Sequence, residues 1–179
     1  MWYPHTVTIA ATSEPVSLVE AKAQTRIDGT ASDTALGLYI ASARAHVEAY
    51  CGTPIVSRTV TVKSDSFEDF DKFPIAPLGS VSGITYTDTA GDAQTLSAAV
   101  YEVRTDGLTA SLALKYGKTW PSIQDGSRIT VTAAVGYSAV PDDVKHTLLL
   151  LISGMFENRE MGTVPLAVDA LLANHRVFA

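Results

Sequence analysis

The sequence predicts an α+β protein, in which a small helical bundle is split between the two ends of the chain and carries an inserted antiparallel β subdomain. Three observations support this fold class. Apolar residues recur at helical spacing up to residue 52, β-branched runs alternate with turn residues from 55 to 137, and a strongly apolar helix follows. The predicted division is 1–54 for an N-terminal arm and the first helices, 55–137 for the β subdomain, and 138–179 for the C-terminal helices.

Composition limits the classes of protein that need to be considered. The chain has 179 residues, of which 46% are hydrophobic and 18% are charged, and this is enough to bury a core in one domain or two small ones. A net charge of -6 argues against a protein that wraps nucleic acid, since that role needs a basic face. The N-terminus lacks a signal-peptide pattern and the apolar runs are too short to span a bilayer. We therefore expect a soluble protein made in the cytoplasm.

The first elements are an extended arm and two helices. The arm, Met1 to Thr12, alternates at Val7 and Ile9 and predicts a strand added to a sheet edge.

The two helices are marked by capping residues. Ser17 and Glu20 have the spacing of a capping box, Arg26 to Gly29 ends that helix, and Asp33 is a candidate N-cap for the next one. Gly52 stands where a left-handed C-cap belongs. The apolar stripe of the second helix is Leu36, Ile40, Ala43, Val47 and Tyr50. Neither helix is long enough to be stable without a packing partner.

Short β-branched runs follow Gly52. Turn residues at 89–92 and 105–107 separate neighbouring runs, and helical crossovers are absent, so an antiparallel arrangement is predicted. The predicted strands are 56–63, 81–88, 100–104, 110–114 and 129–135.

One acidic segment, Ser64 to Pro77, interrupts the β section. It places Asp65, Glu68, Asp69 and Asp71 among three phenylalanines. A calcium loop is disfavoured, because Phe70 stands where the calcium-loop pattern requires glycine. A solvated hairpin tip or a loop that contacts a partner is the favoured interpretation.

The C-terminal part predicts two more helices. Pro141 is expected in the first turn of a helix that runs to about Glu160, with Asp142 and Asp143 at its positive end. Residues Leu148 to Ile152 are apolar in every direction around the axis, which predicts burial centrally in a bundle or between subunits. After a break at 161–165, Leu166 to Arg176 predicts a short last helix with Leu171 and Leu172 on its inner side.

Chemical motifs are sparse. The four histidines, His5, His46, His146 and His175, lack metal-ligand spacing, and Cys51 is expected to be a small buried hydrophobe. Trp120 is expected to close one end of the β subdomain. The alternative is a carbohydrate- or peptide-binding β module that uses Trp120 with Tyr116 or Tyr137 as a platform. No catalytic, cofactor-binding or metal-binding residue is predicted, and an uncharacterised enzyme is the least favoured class.

The order of segments resembles a known family. The segments that carry the resemblance are Pro15-Val-Ser-Leu-x-Glu-Ala-Lys, Arg26-Ile-Asp-Gly, Ala45-His-Val-Glu-Ala-Tyr-Cys-Gly-Thr-Pro54, Pro77-Leu-x-Ser-Val-x-x-Ile-Thr-Tyr86, Trp120-Pro121, Gly136-Tyr137 before Val140-Pro141, and Phe156-Glu-Asn-Arg-Glu160. Together these segments are similar to the head-tail connector (adaptor) proteins of long-tailed phages and their prophage or gene-transfer-agent relatives.

The resemblance implies a non-enzymatic ring in the virion neck. Such a ring is dodecameric in the assembled particle, although isolated subunits need not assemble. It binds under the portal protein, holds the tail-side stopper or tail-completion protein, and lets DNA pass without specific binding, with no membrane involved. Within this reading the C-terminal segment is expected to reach the portal, through Leu166, Leu171, Leu172, His175, Arg176 and Phe178. The acidic residues Asp65, Glu68, Asp69 and Asp71 are expected to face the channel rim or the tail-side partner, and Arg159 to bridge to a neighbour or lie at the helix end.

Overall fold

The computed structural model describes residues 1–158 and 166–177, the side chain of Leu166 excepted. The chain divides into two compact units. The sheet unit comprises Met1–Ala11 and Ser57–Gly136, and the helical unit comprises Thr12–Val56 and Tyr137–Ala179. The predicted α+β class is confirmed.

The sheet unit contains seven strands, all paired antiparallel. Five of them form a sheet in the order β1-β2-β7-β3-β4, and β5 and β6 form a separate hairpin. The strands are β1 Thr6–Ile9, β2 Arg58–Ser64, β3 Leu78–Thr87, β4 Ala93–Thr95, β5 Tyr101–Asp106, β6 Thr109–Leu114 and β7 Ile129–Val135.

The N-terminal arm supplies an edge of this sheet. Val7 of β1 lies opposite Val60 of β2, which confirms the predicted strand at a sheet edge. The predicted division had grouped the arm with the helices, but its pairing places β1 in the sheet unit. The short strand β4 was not predicted, because its three exposed residues show no alternation.

Alternate residues of the central strands point to opposite faces of the sheet, and the two faces differ in burial. In β7 the buried residues Ile129, Val131, Ala133 and Val135 alternate with half-buried ones. Opposite them on β2, Val60 and Val62 are also buried, and Thr61 faces Thr132 on the other side. One face of the sheet therefore forms the core of this unit.

In the described residues of the helical unit there are four helices, α1 Leu18–Thr25, α2 Asp33–Cys51, α3 Asp142–Glu157 and α4 Leu166–Leu172, with a 3-10 turn at Ala173–His175. Its core is built from the inner faces of these helices and includes Leu36, Ile40, Val47, Leu148, Leu151, Ile152, Val168 and Leu172. Among the described residues, none of the helices combines the length and apolar character needed to cross a bilayer.

Local capping explains where α1 and α2 begin and end. Ser17 and Glu20 form the predicted capping box, and Gly52 adopts the predicted left-handed conformation at φ 66°. The prediction that Asp33 caps α2 is wrong: the N-cap is Ser32, and Asp33 instead pairs with Lys22, with Nζ 2.5 Å from Oδ1. Its carboxylate is drawn to the nearby ammonium group rather than to the helix amides.

Helix α3 is only partly covered within the chain. Leu148, Leu151 and Ile152 are buried, whereas Leu149 and Leu150 are half-buried, so burial on all sides within one copy is wrong. Pro141 is the N-cap of α3 rather than a residue of its first turn. The predicted end near Glu160 and the break at 161–165 lie outside the described residues.

Candidate functional site

The acidic segment is a folded element and not a solvated hairpin tip. Ser66 accepts a hydrogen bond from the Glu68 amide at the start of a 3-10 helix, Phe67–Asp71. Phe67, Phe70 and Phe73 are all buried in the core of the sheet unit. The segment therefore covers this core with its aromatic side and directs its carboxylates outward.

Two tryptophans complete the aromatic packing around this segment. Trp2 stacks on Phe70 with ring centroids 5.5 Å apart, and Trp120 stacks on Phe67 at 4.9 Å. The predicted closing role of Trp120 is confirmed. One face of its ring is used inside the unit, which disfavours an aromatic binding platform at this position.

The four acidic residues predicted to face a partner have different surroundings. Asp69 contacts the Met1 amino group and the Ser64 hydroxyl, and Asp65 accepts a 2.9 Å hydrogen bond from the Tyr3 hydroxyl. Burial raises the pKa of Asp69, but these partners outweigh it and leave that pKa below its usual value. Asp65, Glu68 and Asp71 are exposed, so they are the members of the set available to another molecule.

The C-terminal segment also packs within its own unit. Val168 and Leu172 are fully buried, and Leu171 is half-buried. The inner side of this segment therefore belongs to the core of the helical unit, and Leu172, predicted to face the portal, is not accessible to it. Of the other residues predicted to face the portal, Phe178 lies outside the described part of the chain, as does Arg159.

A hydrogen-bonded relay of Tyr137, His175 and Asp143, which sequence reasoning missed, holds the C-terminal segment. His175 Nδ1 lies 2.9 Å from the Tyr137 hydroxyl, and its Nε2 lies 2.7 Å from Asp143 Oδ2. Burial raises the pKa of Asp143, but hydrogen bonds from His175 and the Val144 amide outweigh it, and the pKa falls below its usual value. His175 is thus a half-buried residue with a structural role.

Two further contacts hold the same segment. The Val177 amide donates to the Cys51 carbonyl at 2.8 Å, and the Arg176 guanidinium lies 4.6 Å from the centroid of the Tyr50 ring. Cys51 itself is buried, as predicted, and burial raises the pKa of its thiol. These contacts fix the position of Arg176 and Val177 on the helical unit.

The relay does not have the properties of a catalytic nucleophile. Burial raises the pKa of Tyr137, whereas activation of a phenol would require the opposite shift. Among the described residues, no group of three or more His, Cys, Asp or Glu side chains is arranged to hold a metal ion. What the relay can do is position the C-terminal segment.

One protein family matches part of this chain. Residues 15–102 match the family described as phage gp6-like head-tail connector protein. No match was found among curated protein sequences. The family match confirms the resemblance reached from the order of segments.

Three solved particle structures contain chains with a similar fold. A chain in the neck of an empty GTA particle, computed with C6 symmetry, and one in the virion of a native gene transfer agent (GTA) particle each have a TM-score of 0.80. Both are 24% identical, with 99% of this chain and 97% of the other covered. A chain in the neck of a native GTA particle, computed with C12 symmetry, has a TM-score of 0.69 at 24% identity, with 96% of each chain covered.

Proposed function

From the head-tail connector match over residues 15–102 and the fold shared with chains of GTA particles, we propose that this chain is a structural head-tail connector of a phage or gene transfer agent neck. The observation that carries the proposal is the extent of the family match. It begins in the helical unit and continues into the sheet unit, so it involves both units rather than one common fragment.

The proposed role is non-enzymatic. The relay of Tyr137, His175 and Asp143 is used to hold the chain end, and the tyrosine in it is not activated. A connector needs rigid surfaces and no reacting group. The two capped and packed units provide such surfaces.

In the particle, copies of the chain are proposed to form a ring, dodecameric when assembled, with the portal protein on one side and a tail-side stopper or completion protein on the other. The ring symmetries belong to the neck structures that contain the similar chains. A net charge of -6 suits a channel through which DNA passes without being held, because phosphate binding requires basic groups.

The C-terminal segment remains the proposed portal-facing surface, with roles divided among its residues. Leu172 and His175 hold the segment in place, and the half-buried Leu171 and Arg176, with Leu166 and Phe178, are proposed to reach the portal. Truncation is a poor test, because it would remove the buried Val168 and Leu172 from the core. A point substitution at the surface is required.

The exposed carboxylates Asp65, Glu68 and Asp71 are proposed to face the channel rim or the tail-side protein. Asp69 belongs to this surface only indirectly, since its partners lie within the sheet unit. It should therefore be left unchanged when the surface is tested.

The proposal is tested by mixing the purified protein with the portal protein of the same particle, then measuring mass by light scattering and imaging the product. We expect portal complexes that carry a ring of this chain. Leu171→Asp should abolish them, while Leu38→Asp, at a 65% exposed leucine of α2, should not. A native protein that leaves portals bare would overturn the proposed function.

A matched set of substitutions addresses the acidic surface in the same particles. The triple variant Asp65→Asn, Glu68→Gln, Asp71→Asn should still bind portals but lower the yield of tailed particles. The control neutralises three other exposed carboxylates of the sheet unit, Asp92, Asp106 and Asp125. Equal yields from the two triple variants would contradict the assigned surface.

A further inference from the structure

We propose that neighbouring copies in the ring are joined by the turn Lys115–Lys118 of one copy, which docks in a groove on the outer side of α1 of the next copy. This inference rests on the proposed function, since it assigns the contact between copies of the connector ring. It commits the groove to one occupant, a second copy of this chain.

The turn presents a large aromatic ring to solvent on a fixed backbone. Tyr116 is fully exposed, and the backbone around it is closed by a 3.1 Å hydrogen bond from the Lys118 amide to the Lys115 carbonyl. Gly117 has a φ of 72°, which a tight turn of this kind favours. Lys115 is tied further by a 2.8 Å hydrogen bond from its ammonium group to the Ala98 carbonyl. Little backbone freedom is left to lose when such a turn binds.

Apolar residues form part of the groove lining and can contact this ring. It has a volume of about 540 Å³ and lies along α1 and the segment that follows it. Its apolar residues are Val19, Ala23 and Ile27. The apolar side chain of Val19, on α1, is 76% exposed. A tyrosine that binds a protein surface gains most of its binding energy from burying its ring. The apolar residues of the groove can bury part of the Tyr116 ring.

One carboxylate of the groove is complementary to the positive charge of the turn. Asp28 is exposed at the groove and can pair with Lys118. Lys22 is already engaged by Asp33 and by the Gly29 carbonyl, so it adds little repulsion.

Arg26 is the remaining cation in the groove, and the tyrosine ring suits it. Within one copy, Arg128 lies 3.9 Å from the centroid of the Tyr3 ring and Arg176 lies 4.6 Å from that of Tyr50. A third arginine–tyrosine contact, between Arg26 and Tyr116 of the neighbouring copy, follows the same chemistry.

A contact between two different surfaces is compatible with ring symmetry. A cyclic ring is held by head-to-tail interfaces in which each copy uses two different surfaces. The turn belongs to the sheet unit and the groove to the helical unit, so each copy carries both surfaces separately. A contact of the turn with itself would instead give a closed dimer.

Disulfide cross-linking tests the contact directly. The native Cys51 is 1% exposed, so introduced cysteines react with little background. The variant Tyr116→Cys with Ala23→Cys is assembled on portals of the same particle, oxidised and run on a non-reducing gel. We expect a ladder of covalent multimers that ends at the closed ring. The control pairs Tyr116→Cys with Leu38→Cys and should give no ladder.

A charge exchange provides a second readout that does not depend on cysteine geometry. Lys118→Glu should lower the affinity between copies by about threefold or more, as expected for one exposed pair turned repulsive. Adding Asp28→Lys should restore ring assembly in the double variant. Circular dichroism checks that each variant is folded.

The outcomes separate this inference from the proposed function. If native rings form on portals but the cysteine pair gives no more product than its control, or if Asp28→Lys gives no rescue, the docking of the turn in the groove is overturned while the connector role stands. If native protein does not assemble on portals, the connector role itself fails.

Discussion

Trp2 shows, at the scale of single residues, how the N-terminal arm is bound to the sheet unit. Its indole N–H donates to the carbonyls of Asp69 and Lys72 at 3.0 and 2.8 Å, and its ring stacks on Phe70 and meets the edge of Phe73. Trp2→Ala should lower the free energy of unfolding by about 2 kcal/mol, somewhat below the range for fully buried tryptophans because Trp2 is only half-buried. Urea denaturation followed by circular dichroism measures this loss.

Trp2→Phe serves as the control for that change. It keeps an aromatic ring over Phe70 but removes the two hydrogen bonds, whose acceptors can turn to water, so a loss of about 1 kcal/mol is expected. Equal losses for the alanine and phenylalanine variants would mean that ring packing contributes nothing.

Glu20 gives a pH dependence with a defined sign. Its hydrogen bonds with Lys145 and Ser17 lower its pKa from 4.5 to about 2, so the folded state favours the ionised carboxylate. Its stabilisation is therefore fully present above pH 4.5 and is lost as the pH falls towards 2. Solvent screening limits the effect to about 1 kcal/mol, because the group is exposed.

The variant Glu20→Gln isolates this charge, since glutamine can still serve in a capping box. The difference in free energy of unfolding between the native protein and the variant should reach its maximum above pH 5 and vanish near pH 2. Lys145→Gln should show the same profile, because it removes the partner of the same ion pair. A difference that stays constant with pH would contradict the role of the charge.

Residues that act on their immediate neighbours could be predicted, whereas distant partners could not. The capping box of Ser17 and Glu20 involves groups three positions apart, so their spacing alone indicates it. His175 meets Asp143 and Tyr137 across 32 and 38 positions, and no local pattern marks either contact. Such contacts are set by how the helices pack.

At the scale of elements, the end of α2 depends on glycine for two separate reasons. Gly52 has a positive φ of 66°, and a Cβ there would lie 3.1 Å from the Val177 carbonyl oxygen. Gly52→Ala should therefore lower the free energy of unfolding by about 1–2 kcal/mol. Urea denaturation of the purified variant provides the measurement.

Gly37, inside the same helix, is the matched control. It is exposed, and a Cβ there meets nothing within 4 Å. Gly37→Ala should raise the free energy of unfolding by about 1 kcal/mol, since alanine favours the helix. If both variants shift stability in the same direction, the account of the α2 C-terminus is incorrect.

At the element scale, the acidic segment contains a sequence signal for its 3-10 helix that composition obscures. Its carboxylates dominate the composition and favoured a solvated loop, but Phe67, Phe70 and Phe73 recur every third residue. That spacing equals the period of a 3-10 helix and places the rings on one side. In helix α3 the apolar signal was instead read too strongly. Apolar residues on all sides of a helix do not require burial on all sides within one chain.

At the scale of the whole molecule, the order of elements could be read from the sequence because each unit has its own repeat pattern. The helical unit shows helical spacing on both sides of the β section, and the sheet unit shows alternation. The sequence indicated that the arm forms a strand at a sheet edge, but not that its partner is β2, since strand partners far apart in sequence are selected by the fold as a whole.

The organisation of the helical unit leads to a last prediction. Its two chain segments meet where the sheet unit is inserted: Val56 and Tyr137 form an isolated bridge, and the Tyr137 amide donates to the Ile55 carbonyl at 3.2 Å. A short Gly/Ser linker can therefore replace Ser57–Gly136 without straining either segment. Since this unit has its own buried core, the shortened protein should remain helical by circular dichroism and unfold cooperatively in urea. In the shortened protein, Leu148→Ala should lower the free energy of unfolding by about 2–5 kcal/mol, as expected for a packed core. A shortened protein with a broad, non-cooperative transition would show that the helical core is insufficient by itself.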